Sequence, residues 1–278
     1  MNNVNGIMLV ILSMAAFSVE DMFIKRLSVF ASAGQIILVL GLVCTLVFLA
    51  WAVVAKNQIF SAAAWGPLPL LRSAAEGIGV LTYIYALSLA DLSTVAAVFQ
   101  ALPLTVTLGA AVFLREQVGW RRWCAIGVGF VGVLMIIQPG TEGFQPEVLL
   151  VVITVIAVAA RDLITRRIDA RVASMVVALQ ANLVYILAGG VLMLASNEPF
   201  IAIETSMIGA YAGAVAFAVL AYYTIIYAMR IGEASALTPF RYTRLLFSLL
   251  IGVLVLGERP ELLMLVGAGL IMASGLYM

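Results

Sequence analysis

The chain has 278 residues, of which 64% are hydrophobic and only 10% charged, with a formal net charge of +1. A soluble globule is about a quarter charged, so this composition excludes a fold bathed only in water and requires lipid as the solvent for much of the surface. The near-zero charge argues against a nucleic-acid partner, and the absence of histidine removes the commonest general base and transition-metal ligand.

In chain order, ten apolar runs approach the roughly 20 residues that a spanning helix needs. They cover 5–26, 33–55, 66–89, 93–114, 122–138, 147–165, 172–195, 207–230, 235–257 and 261–278. No Lys or Arg precedes the first run, so it lacks the basic start of a cleaved signal and is expected to stay as a transmembrane helix. Pro67 and Pro69 open the third run, Gln138-Pro139-Gly140 closes the fifth, and Ser196-Asn197-Glu198-Pro199 closes the seventh. The expected fold is all-α, with ten transmembrane helices. Cys44 and Cys124 sit inside apolar runs and read as small buried hydrophobes. Trp51, Trp65, Trp120 and Trp123 lie near run ends, as interfacial anchors do.

Loop charge sets the expected orientation. With both termini cytoplasmic, the inner connections hold Lys56, Arg115, Arg121, Arg122, Arg166, Arg167, Arg171 and Arg230. The outer ones hold only Lys25, Arg26 and Arg259, beside acids such as Glu142, Glu147, Glu198, Glu204 and Glu261.

The chain also matches itself at about half its length. Asp21…Lys25-Arg26 parallels Asp162…Arg166-Arg167, Tyr85-Ala86 parallels Tyr227-Ala228, and Leu114-Arg-Glu116 parallels Leu256-Gly-Glu258. Ionised residues rarely align by chance in a Leu/Ala/Val-rich sequence, so a duplication is expected, with halves 1–140 and 147–278. Two five-span units joined in series lie in opposite orientations across the bilayer, the inverted arrangement of many secondary transporters.

Each half ends in a helix closing on Leu-x-Glu, then a loop and a Gly-rich last helix: Gly127-Val-Gly129-Phe-Val-Gly132 in one, Gly267-Ala-Gly269 in the other. This resembles the EamA repeat of the drug/metabolite transporter superfamily, over essentially the whole chain, and is similar to bacterial amino-acid and metabolite exporters. The resemblance implies a bacterial inner-membrane transporter with no cofactor. One segment departs from the family pattern. Thr238-Pro239-Phe240-Arg241-Tyr242-Thr243-Arg244 has its proline early and two arginines after it, which resembles uptake systems for vitamins or cofactors.

Eight ionisable residues fall inside the runs: Glu20, Asp21, Arg72, Glu76, Arg161, Asp162, Arg241 and Arg244. A charge at bilayer depth costs a few kcal/mol and usually faces the protein interior or a water-filled path. Arg72 and Glu76, and likewise Asp21 and Lys25, have the spacing of a pair along one helix. Arg161 and Asp162 are adjacent, about 100° apart around a helix, and are expected to find different partners. Arg241 and Arg244 share a face and need an anion nearby: Glu20, Asp21, Glu76, or a substrate carboxylate or phosphate. Gln100 precedes Pro103, which is expected to bend the fourth helix, and Pro239 takes a comparable place in the second half. Tyr83, Tyr85, Tyr222, Tyr223 and Tyr227 occupy equivalent helices and are expected to line a cavity. The candidate substrate or gating residues are therefore Asp21, Glu76, Tyr83, Gln100, Asp162, Tyr222, Arg241 and Arg244, with Pro103 and Pro239 as hinges.

No phosphate-binding G-x-x-x-x-G-K-[ST] loop occurs, which leaves a secondary transporter. An intramembrane enzyme using Glu20, Asp21 or Asp162 lacks any histidine, metal cluster or activated nucleophile. The expected activity is amino-acid export, with vitamin, cofactor or drug-like uptake as the alternative. The expected partners are a small-molecule substrate and the lipid bilayer, in a monomer or homodimer.

Overall fold

A computed structural model of the chain describes residues 3–277 apart from 57, 114, 116–118, 142–143, 166, 170 and 232–236. Leu114, Glu116, Glu142, Arg166 and the first residues of the ninth predicted run therefore lie outside the described residues, as does the side chain of Arg230. Regular structure among the described residues is entirely helical.

The helices are α1 (Asn3–Leu27), α2 (Ala33–Val54), α3 (Pro67–Leu89), α4 (Leu92–Phe99), α5 (Leu102–Phe113) and α6 (Trp120–Ile137). They continue with α7 (Val148–Thr165), α8 (Ser174–Ser196) and α9 (Thr205–Ile231), a 3-10 turn (Thr238–Tyr242), α10 (Thr243–Val255) and α11 (Leu262–Tyr277). Local chemistry sets several ends. Ser32 accepts from the Gln35 amide to cap α2, and Pro67 sits in the first turn of α3, where no amide is needed. Gln138 and Asn197 take left-handed conformations that end α6 and α8.

Among the described residues, seven stretches are long and apolar enough to cross a bilayer: Val4–Leu27, Ala33–Val54, Leu92–Phe113, Trp120–Ile137, Val148–Thr165, Met175–Ser196 and Thr205–Ile225. The expectation of ten uniform spans is therefore met only in part. The third run forms α3 but carries Arg72 and Glu76 in its interior. Within the described part of the ninth, a 3-10 turn precedes the 13 residues of α10, and α11 is 16 residues long. The fourth run is broken between α4 and α5.

Polarity is inverted relative to a water-soluble protein. Leu194, Leu254 and Phe60 are 82%, 77% and 86% exposed, while Gln35, Asp21 and Glu76 are 0%, 2% and 3% exposed. Exposed apolar surface on this scale needs lipid. The chain is a multi-pass membrane protein.

The principal packing pairs are α1 with α9, α3 with α7, α2 with α8, and α6 with α11. Exchanging each helix for its counterpart in the sequence repeat turns the first pair into the second and returns the last two unchanged. The α1–α10 and α5–α7 contacts exchange in the same way. Small residues permit the closest crossings. A Cβ on Gly132 would stand 2.6 Å from the Gly267 carbonyl oxygen, and one on Gly267 the same distance from the Gly132 oxygen. Gly127 and Gly269 serve no such contact and face open space, because the α6–α11 crossing uses only one face of each helix. Cys124 is likewise exposed rather than buried, on the outer face of α6, whereas Cys44 is buried.

Candidate functional site

A central cavity of about 310 Å³ lies among α1, α2, α3, α7, α8, α9, the α4–α5 break and the 3-10/α10 junction. All eight ionisable residues anticipated within the runs line it. The volume is at the lower end for a small-molecule site.

One ion network joins α3, α7 and α8. Glu76 is paired with Arg72 at 2.8 Å and with Arg161 at 3.0 Å, and accepts from the Tyr185 hydroxyl at 3.2 Å. Arg161 also donates to Asp162 Oδ1 from Nη2 at 2.8 Å and from Nε at 3.0 Å. The Arg72–Glu76 pair is the one that helical spacing anticipates. The Arg161–Asp162 bond corrects the expectation of separate partners: the long Arg161 side chain spans the angular separation and reaches the neighbouring carboxylate with Nε and Nη2. Arg72 leaves Nε and Nη1 buried without a protein partner.

A second network joins α1, α3 and α10. Arg244 Nη2 donates to Asp21 Oδ2 at 2.7 Å and to the Tyr83 hydroxyl at 3.0 Å, while Tyr83 donates to the same Asp21 oxygen at 3.0 Å. The guanidinium carbon stands 5.1 Å from the Phe17 ring centre and 5.0 Å from that of Phe99, within cation–π range. Asp21 therefore does not pair with Lys25. Lys25 lies one turn nearer the helix end and donates instead to the Ala90 carbonyl at 2.7 Å.

Arg241 and Glu20 differ from the rest. Both line the cavity, yet neither side chain has a hydrogen bond or ion pair among the described residues. The charged groups within electrostatic reach of Arg241 are Asp162, Arg161 and Arg244. Those near Glu20 are Asp21 and Arg244.

Gln100 ends α4 and donates from Nε2 to the Tyr242 carbonyl at 3.2 Å, bracing the helix break against the 3-10 turn. Pro103 is the second residue of α5, just past the break, and Pro239 lies in the 3-10 turn that precedes α10. Of the five tyrosines expected at the cavity, Tyr83 and Tyr222 line it. Tyr85, Tyr223 and Tyr227 are 43%, 41% and 47% exposed: neighbouring helix positions point about 100° apart, so residues beside a lining tyrosine face outward. Tyr223 packs against Trp51 instead.

Sequence reasoning missed Tyr185, Asn182, Phe17, Phe48 and Phe99, all of which line the cavity. Phe17 lies one turn before Asp21 on the same face, a spacing that marks it. Nothing in the apolar run of α2 distinguishes Phe48.

Outside the cavity lining, a carboxylate fastens the start of α4 to the chain after α10. The Glu258 carboxylate accepts the Leu92 amide at 2.7 Å, the Ser93 amide at 2.9 Å and the Ser93 hydroxyl, so it sits on the positive N-terminus of α4. Gly257, at φ +71°, turns the chain after α10, and Gly252 leaves room for the carboxylate, which a Cβ there would meet. Asp91 lies beside this lock, and burial together with the Glu258 charge pushes its carboxyl above the usual range.

Duplicated helix pairs, a bilayer-facing exterior and a charged cavity at their centre are features of a membrane carrier. Two successive stretches, residues 4–138 and 145–278, match the EamA-like transporter family. The chain belongs to that family. It is a transporter, not an enzyme. Its relatives include the S-adenosylmethionine uptake transporter of Rickettsia prowazekii (strain Madrid E), 23% identical over 98% of this chain and 92% of the relative. The riboflavin transporter of Brucella anthropi is 30% identical over 76% of this chain and 75% of that protein. One crystal structure of a protein superposes with a TM-score of 0.64 at 19% identity, covering 96% of this chain and 94% of that one. That likeness extends to the fold.

Proposed function

We propose that this EamA-like transporter is a secondary carrier that takes up a vitamin- or cofactor-type organic solute across the bacterial inner membrane. The central cavity carries the reading. It combines ionised side chains with aromatic walls at the meeting point of the two halves, where inverted-repeat carriers hold their solutes. The relatives named for S-adenosylmethionine uptake and riboflavin transport favour this class over the amino-acid export that the family resemblance first suggested.

Ten membrane crossings in two oppositely oriented halves account for the exchange of packing pairs, with the broken and shortened helices counted as crossings. The positive loops then place both termini in the cytoplasm. On this topology the Glu258 lock and Lys25 close the outer end. The lining reaches Arg72 and Thr165 toward the inner end, as an inward-facing state requires. Alternating access proceeds by release of Glu258 from α4 and rocking of the halves about the breaks near Pro103 and Pro239.

The test is uptake by bacteria expressing the chain. Labelled S-adenosylmethionine or riboflavin is expected to enter faster than in cells with empty vector. Faster loss of preloaded amino acids, without uptake of either solute, would restore the export reading.

A further inference from the structure

The cavity holds four acidic and four basic side chains. Six of them are consumed internally: Asp21 with Arg244, and Glu76 and Asp162 with Arg72 and Arg161. One acid, Glu20, and one base, Arg241, remain without a hydrogen-bond or ion-pair partner among the described residues. They project from different elements, α1 and the 3-10 turn, into the same space. Between the two halves the cavity also presents an aromatic wall: Tyr222 meets Phe17 at 5.8 Å and Phe48 at 6.0 Å between ring centres, edge to face in both cases.

The nearest acid to Arg241, Asp162, is already bonded to Arg161, and the base nearest Glu20, Arg244, to Asp21. A charge held inside the bundle without a partner of its own is costly. A solute that supplies both missing counter-charges relieves both costs at once, whereas a neutral solute relieves neither. A purely anionic or purely cationic solute leaves one unpaired group with a new like charge in its cavity. From this accounting we infer that the solute is zwitterionic, with its anionic group held by Arg241 and its cationic group by Glu20. Its apolar, ring-bearing body lies against Phe17, Phe48 and Tyr222. Arg241 supplies the planar fork that a carboxylate accepts in two parallel bonds. The already paired Arg244, screened by three aromatic rings, is left to hold the wall. The inference rests on the carrier reading above and narrows its substrate class.

The test uses probes with one scaffold and different charges, bound to purified protein by equilibrium dialysis. 5′-Methylthioadenosine is uncharged, its aminocarboxypropyl homologue S-adenosylhomocysteine is a zwitterion, and S-adenosylmethionine adds a sulfonium cation. The zwitterions are expected to bind at least tenfold more tightly than the uncharged probe, as charge-assisted bonds require. Arg241→Gln and Glu20→Gln should each erase that preference. Arg241→Lys keeps the charge but not the fork and should retain part of the preference, which separates loss of charge from loss of fold. Equal binding of the uncharged probe, no binding of either zwitterion, or an unchanged preference in both Gln variants overturns the inference. Selective zwitterion binding without any flux in vesicles would instead defeat the carrier reading and leave the charge assignment standing.

Discussion

Glu76 answers to Arg72, Arg161 and Tyr185 together, so neutralising it strands Arg72 inside the bundle and leaves Arg161 with Asp162 alone. Glu76→Gln is expected to destabilise the protein by about 3 kcal/mol or more, in the range for breaking a buried pair, read as a lowered unfolding midpoint in detergent. Asp21 and Arg244 form a simpler pair, 3% and 13% exposed at the side chain. Asp21→Asn and Arg244→Gln should each cost more than the two together, and a double-mutant cycle measures that coupling. Additive losses would show that the pair is not coupled. Tyr83→Phe removes only the bridging hydroxyl and should cost about 1 kcal/mol. At this scale, half the site was legible beforehand. Intramembrane charge singles out every ionisable group of the cavity, since such residues have little other reason to be there. The pairing was not legible, because Asp21 finds Arg244 223 residues away rather than Lys25 on the next turn. Side-chain reach across helices decides that choice, and local spacing does not report it.

Helices meet where side chains vanish. Gly132→Val is expected to force α6 from α11, because even a Cβ there would stand 2.6 Å from a backbone oxygen that cannot yield. Gly127→Val faces open space and should leave the unfolding midpoint within about 0.5 kcal/mol of the parent. The same reasoning applies to the lock between α10 and α4. Gly252→Ala puts a methyl group where the Glu258 carboxylate rests and should free that end, raising labelling of a cysteine introduced at the buried Leu92 by an impermeant thiol reagent. Unchanged labelling would show that Glu258 does not hold the lock. Helix ends at Gln138 and Asn197 follow directly from the Gln-Pro-Gly and Asn-Glu-Pro signals, and the sequence repeat anticipates which helices are equivalent. The break between α4 and α5 is hinted at by Pro103. The 3-10 start before α10 escapes a hydropathy reading, because the short polar stretch Thr238–Tyr242 is averaged into the longer apolar run 235–257. Its conformation answers to Pro239 and to the carbonyls that Gln100 engages.

For the whole molecule, the exchange of α1–α9 with α7–α3 ties the sequence repeat to a cavity between equivalent elements. Apolar composition establishes that lipid surrounds the chain, but not where a solute sits. That follows only once the charged faces of α1, α3, α7 and the 3-10 turn converge. The proposed topology, with both termini and the Trp120–Arg121 end of α6 on the cytoplasmic side, predicts that reporters fused to either end are active only in the cytoplasm. Opposite outcomes for the two ends would require an odd number of crossings. The central claim is passage of a vitamin- or cofactor-type solute through the cavity. Its most direct test is flux of labelled S-adenosylmethionine and riboflavin into liposomes reconstituted with the purified protein. The account predicts that at least one of them enters well above protein-free liposomes, with the rate cut at least tenfold by Arg241→Gln. Entry of neither solute, or entry unaffected by that substitution, would contradict it.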